Sequence, residues 1–189
     1  MRKIIAAINM TLDGFCDHTA MTGDEELHQH YTDLLRNAGA VLYGRTTYEL
    51  MESYWPAVVK NPTGNKPMDD FAVAIENVSK IVFSHTLHND EPNSINWKNV
   101  RLAKKDIKEE VLTLRQQPGD DIFVCSRSLI VATMNLGLVD AYQLCIHPVV
   151  AGKGLPLFKD ANDHTVLKLL KTKTFGSGAI LLYYEPTKK

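Results

Sequence analysis

The chain has 189 residues, 44% of them hydrophobic and 23% charged, with a formal net charge of -1; that is material for one substantial core and little more. Such a balance gives no basic face of the kind that draws a protein to nucleic acid or to an anionic membrane. No apolar run approaches membrane-spanning length, and Cys16, Cys125 and Cys145 form neither a CxxC pair nor a zinc spacing. A reduced, cytoplasmic protein is the expectation.

Residues 3–9, KIIAAIN, read as a first strand rather than a signal peptide, because the short apolar run soon meets Thr11, Asp13 and Asp17. TLDGF follows, with an Asp-Gly pair suited to a sharp turn. In TGDEELHQHYTDLLRNAG, Thr22 and Glu25 have the spacing of a capping box, Leu27, Tyr31, Leu34 and Leu35 recur at helical spacing, and Gly39 closes the segment. AVLY at 40–43 is a second strand, and GRTTYELMESYW a short helix. Residues 56–70, with Pro56, Pro62, Gly64 and Pro67, are predicted to be a long loop, leaving a brief helical turn at 69–76.

KIVFS at 80–84 is a third strand, 86–96 mostly loop, and VRLA at 100–103 a short strand. Ile107, Val111 and Leu114 mark the buried stripe of a helix over 104–116, stopped by Pro118-Gly119. DIFVC at 121–125 returns to strand, and a helix opening near Ser126 or Ser128 ends at Gly137. LVDAYQLCIHPVV forms a longer strand bending near Asp140 and ending near Pro148. The tail gives two strands around Gly176 and Gly178, a hairpin. This order predicts a single three-layer α/β domain over residues 1–189: a central, mostly parallel sheet flanked by helices, with an antiparallel C-terminal end.

In such sheets ligands bind beyond the carboxyl ends of the strands, where helices begin. Three strand exits carry suitable groups: Gly44-Arg45-Thr46-Thr47, Ser84-His85-Thr86 and Ser126-Arg127-Ser128. Gly44 allows close backbone approach, helix-start amides can hold phosphate, Thr46 and Thr47 add hydroxyls and Arg45 a fixed charge. Each also has a structural reading, Arg45 as a surface ion pair and Ser126 or Ser128 as a helix cap. Asp13 reads either as a substrate- or water-orienting carboxylate or as part of an Asp-Gly turn. His28 and His30 point in different directions on a helix and make a poor metal pair. HExxH, GxSxG and GxxxxGK are all absent.

TLDGF at 11–15, GRTTYE at 44–49, KIVFS at 80–84 and GLVDAYQLCIHPVVAGKGLPLF at 137–158 together resemble the dihydrofolate-reductase-like family. The resemblance is strongest to bacterial proteins related to the carboxyl-terminal reductase domain of bifunctional riboflavin-biosynthesis deaminase/reductases, and it covers about residues 3–185. It implies a mixed sheet flanked by helices and the use of NADPH. By resemblance Gly44, Arg45, Thr46 and Thr47 match the cofactor-phosphate region, Ser84 and Thr86 a second phosphate or adenosine-side region, and Ser126, Arg127 and Ser128 the third cofactor loop. Asp13 falls in the loop beside the nicotinamide and substrate, and the strands around 142–150 are an interface candidate for a homodimer.

Cys125 stands where this family often carries glycine, and the stretch around Leu27-His28-Gln29 lacks the carboxylate with which true dihydrofolate reductases orient the pterin. Two functional readings follow. One is an NADPH-dependent reductase of a small planar heterocycle, pteridine- or pyrimidine-like; the other is a non-catalytic, homodimeric nucleotide- or small-molecule-binding protein that retains the fold.

Overall fold

The computed structural model describes residues 1–16, 24–87, 95–162 and 164–187. Eight strands join in one sheet: β1 (Ile4–Thr11), β2 (Ala40–Gly44), β3 (Lys80–Phe83), β4 (Val100–Leu102), β5 (Ile122–Val124), β6 (Ala141–His147), β7 (Leu167–Thr174) and β8 (Ile180–Pro186). Their spatial order is β4-β3-β2-β5-β1-β6-β8-β7. The first six run parallel, whereas β8 pairs antiparallel with both β6 and β7. Among the described residues six helices cover the sheet: α1 (Glu25–Arg36), α2 (Arg45–Glu52), α3 (Trp55–Lys60), α4 (Lys66–Asn77), α5 (Ile107–Gln116) and α6 (Arg127–Asn135).

The two-residue side-chain period of a strand sorts the core into two layers. Ile4, Ala6, Leu42, Ile122 and Val124 meet Val111 and Leu114 of α5 and Leu129 and Ile130 of α6. On the opposite face Ile5, Ala7, Val41, Tyr43, Val82 and Phe123 meet Leu35 of α1, Tyr48 of α2 and Ala74 and Ile75 of α4. The three-layer arrangement expected from the sequence is present.

Two expectations need correction. The predicted loop over 56–70 contains α3 and the start of α4, and the brief turn at 69–76 belongs to a helix of 12 residues. Pro56 and Pro67 stand in the first turns of these helices, where a missing N–H has no intrahelical acceptor to lose. Asn65 then caps α4 by accepting from Met68 N at 3.2 Å. The predicted capping box falls partly on Thr22, which lies outside the described residues; α1 is capped by Asp24. One of its oxygens accepts from Leu27 N at 2.6 Å and the other from Ser177 N at 2.7 Å, tying the helix start to the β7–β8 turn. Most of the predicted 86–96 loop likewise lies outside the described residues. Elsewhere Gly14 (φ 87°) and Gly137 (φ 65°) adopt the left-handed backbone that the Asp-Gly turn and the α6 stop require.

Lys80, at the start of β3, is wholly buried. Its ammonium donates to the carbonyls of Ile75 (2.7 Å), Glu76 (3.1 Å) and Val78 (3.0 Å) at the end of α4, and lies 4.4 Å from the centre of the Trp97 ring. The negative end of the helix dipole and the ring face together replace the lost water. Burial still pushes its pKa down from 10.5 to about 8. The folded chain therefore releases this proton near pH 8, whereas the unfolded chain holds it to 10.5, so in that window the unfolded state binds more protons and stability rises with pH. Urea midpoints measured below and above the lower value should show this rise, about 1–3 kcal/mol, in the native chain and not in Lys80→Met.

Candidate functional site

Because β2, β5 and β1 are adjacent and parallel, their carboxyl ends share one edge of the sheet. α2 begins directly after Gly44, and α6 directly after Ser126. Neither helix start carries a side-chain cap hydrogen bond, so no cap residue satisfies the first-turn amides of either helix. Ser126 stands at the cap position of α6, yet its Oγ accepts from Gly44 N at 2.8 Å and joins the two exits. A Cβ placed on Gly44 would come 3.3 Å from Ser128 Oγ and 3.8 Å from Ser126 Cβ. Glycine keeps this gap passable.

Arg45 is half exposed. Its Nε donates to Glu49 at 2.7 Å and its NH1 to Thr86 Oγ1 at 2.7 Å, which links the Gly44 exit to the Ser84–Thr86 exit. Ser84 Oγ accepts from the amides of Thr86 (3.1 Å) and Leu87 (3.0 Å), forming a tight turn after β3. Thr46 and Ser128 are exposed and Thr47 is half-buried. Gly44, Arg45, Ser84, Thr86, Ser126 and Ser128 are thus brought together.

Asp13 and Arg127 are tied into loops instead. The Asp13 carboxylate accepts from the Thr11 hydroxyl (2.6 Å) and from the amides of Ala151 (3.1 Å) and Gly152 (2.7 Å). The Thr11 hydrogen bond, then that of Gly152, draws its pKa down to about 2. Arg127 donates to Pro156 O (2.8 Å) and to Asp160 (2.7 Å), clasping residues 156–160 against α6.

Residues 2–181 match the family described as the RibD C-terminal domain. The chain belongs to that family. It is 35% identical over 187 residues to the uncharacterized protein YyaP of Bacillus subtilis, covering 97% of this chain and 94% of that one. In fold it is similar to a pyrimidine reductase-like protein from Corynebacterium diphtheriae, with a TM-score of 0.70, 18% identity and coverage of 100% of this chain and 93% of that one. It is also similar to a diaminohydroxyphosphoribosylaminopyrimidine deaminase/5-amino-6-(5-phosphoribosylamino)uracil reductase from Thermotoga maritima, with a TM-score of 0.65, 18% identity and coverage of 98% of this chain and 57% of that one.

Cys125, the departure from the family's frequent glycine, extends the β5–β2 pairing through its amide to Leu42 O at 3.1 Å. Its side chain packs with the layer containing Tyr43, and burial pushes the thiol up to about 12. It is not among the three atoms nearest a Cβ on Gly44, which all belong to Ser126 and Ser128.

Sequence reasoning missed a polar cluster one strand away. Tyr31 donates to Asn9 Oδ1 at 2.8 Å, and His147 Nε2 lies 3.0 Å from the same oxygen. Cys145 Sγ is 3.8 Å from that nitrogen. The signal was present: Ile5, Ala7 and Asn9 alternate onto one strand face, and Tyr31 belongs to the buried stripe of α1.

The Asp13 latch has a pH signature. A carboxylate with a lowered pKa holds the loop fully above 3.8 and loses its hold as pH falls through about 2. The Gly152 amide proton should titrate with the lower midpoint, and Asp13→Ala should speed hydrogen exchange at Ala151 and Gly152 at neutral pH.

Proposed function

We propose that this chain is an NADPH-dependent reductase of a small planar heterocycle, pteridine- or pyrimidine-like, working as a cytoplasmic homodimer. The reading is carried by the two uncapped helix starts joined through the Gly44–Ser126 hydrogen bond. Two sets of unpaired amides facing one passage fit a pyrophosphate, whose charge their dipoles favour. The names of the pyrimidine reductase-like and deaminase/reductase proteins similar in fold favour a pyrimidine-like acceptor.

When bound, NADPH supplies the hydride. The chain's residues hold and orient. Gly44 leaves room for close approach, and the Thr46, Thr47 and Ser128 hydroxyls add donors at the helix starts. Arg45, steadied by Glu49 and Thr86, supplies a fixed cation near the Ser84–Thr86 turn, a suitable place for the phosphate that distinguishes NADPH from NADH. Arg127 shapes the wall by fixing residues 156–160, and Asp13 positions substrate through the 149–152 segment that it anchors. A second copy would cover residues 142–150 and the outer strand β7, where Leu169 and Leu170 are about half exposed; light scattering reads that mass.

One observation favours the second reading, a binding protein that retains the fold without chemistry. The only carboxylate proposed for the substrate side, Asp13, is held ionised by three hydrogen-bond donors, so it is a poor proton donor.

Titration followed by nicotinamide fluorescence should show saturable binding, with NADPH tighter than NADH. Arg45→Ala should weaken NADPH by about tenfold, near 1.4 kcal/mol, and Gly44→Val should block the passage. Absence of binding to either nucleotide would overturn the cofactor assignment. Tight NADPH binding with no oxidation across an acceptor screen would select the second reading.

A further inference from the structure

We infer that Asn9 is a substrate-recognition residue that selects a ring carbonyl, offering its side-chain amide N–H groups to a lactam oxygen. An amide oxygen can only accept. Both neighbours of Asn9 Oδ1 are therefore donors: the Tyr31 hydroxyl at 2.8 Å and His147 Nε2 at 3.0 Å, which assigns the histidine hydrogen to that nitrogen. With its oxygen fixed on two sides, the amide presents Nδ2 in one direction. Among the described residues nothing accepts from Nδ2, and Asn9 is half-buried rather than enclosed in the core.

The place suits a substrate. Asn9 lies two residues before the end of β1, on the sheet face that carries α1 and α2. In the sheet β1 is two strands from β2, with β5 between. A spacing of about 4.8 Å per strand puts the β1 exit roughly 10 Å across from the Gly44 passage. A ligand whose phosphates occupy that passage can extend over β5 and bring a planar ring to the β1 exit.

The supporting shell explains the selectivity. Tyr31 comes from α1, and His147 from β6, where it pairs in register with Thr11 while Asn9 pairs with Cys145. Rotating the amide would turn Nδ2 onto two donors and lose both hydrogen bonds unless Tyr31 and His147 reorganised together. A pinned, neutral donor pair favours a carbonyl acceptor and disfavours a ring position bearing an amino group. This inference rests on reading the sheet edge as the reductase pocket, and adds to it the residue that reads the ring carbonyl.

The test uses proton–nitrogen correlation spectra of the full, nitrogen-15-labelled chain, with the Asn9 amide pair identified by its loss in Asn9→Leu. Uracil and lumazine, both planar lactams, are titrated to millimolar concentrations with and without NADPH; pyrimidine, which has no carbonyl, is the control. A lactam should shift the Asn9 pair and pyrimidine should not. Asn9→Leu and Asn9→Asp should weaken lactam binding by at least about tenfold while changing NADPH affinity by less than about twofold. Tyr31→Phe, which keeps Asn9 but frees its oxygen on one side, should give a smaller loss. An Asn9 pair unmoved by either lactam overturns the inference even where NADPH binds. Lactams that move the pair in a chain unable to bind NADPH support it and overturn only the cofactor reading.

Discussion

The hydrogen bond from Gly44 N to Ser126 Oγ connects residues 82 apart in sequence, and the organisation of the candidate site follows from it. It requires β2 and β5 to be neighbours with the same direction, so that both strands release their chains at one edge. It also diverts the serine from capping its own helix. A hydroxyl that bridges two exits leaves the first turn of α6 unsatisfied, and Gly44 contributes no side chain to close the start of α2. Such an arrangement is a local sacrifice of helix stability, of the size of an absent N-cap, about 1 kcal/mol. The compensating stability lies below it, in Val41, Leu42, Ile122 and Val124, whose side chains are essentially fully buried.

The fold was largely legible because its signals are local and repeated. Short β-rich runs alternating with helical stripes forced parallel crossovers, and Gly137 and the Asp-Gly pair marked their turns by conformational need. The misreading at 56–70 has a physical cause: three prolines and a glycine look like loop when counted together. Proline's meaning depends on position, and at the first turn of a helix its defects vanish. The predicted capping box shows a related limit. Spacing proposed Thr22 with Glu25, but Asp24 gains two amide partners, one of them Ser177 from the far end of the chain.

The candidate site was legible as a set of strand exits and much less as a set of roles. Charge attracts attention in a sequence, yet Asp13 and Arg127 spend most of their hydrogen-bonding capacity on backbone and on Asp160. They shape the loops at 149–152 and 156–160, which a list of residue types cannot reveal. Arg45 differs because its partners, Glu49 and Thr86, leave it half exposed beside the open helix starts. Asn9, Tyr31 and His147 were not recognised as a cluster for the opposite reason: they are uncharged or ambiguous singly, and acquire meaning only through a register that aligns β1 with β6.

On the proposed reading, the two halves of the sheet edge solve different recognition problems. Around Gly44 the groups are backbone amides and short hydroxyls with one cation, an arrangement that accommodates a diffuse phosphate charge and tolerates small shifts. Around Asn9 a single amide is fixed by partners from a helix and a neighbouring strand, which suits a directional bond to one atom of a ring. Affinity can come from the first without chemical selectivity, while the second adds selectivity with few contacts. Their separation by one intervening strand couples the two without making either depend on the other's side chains. On that reading, loss of chemistry at the ring end would leave the proposed nucleotide cradle intact, the form in which a binding protein could persist on this fold.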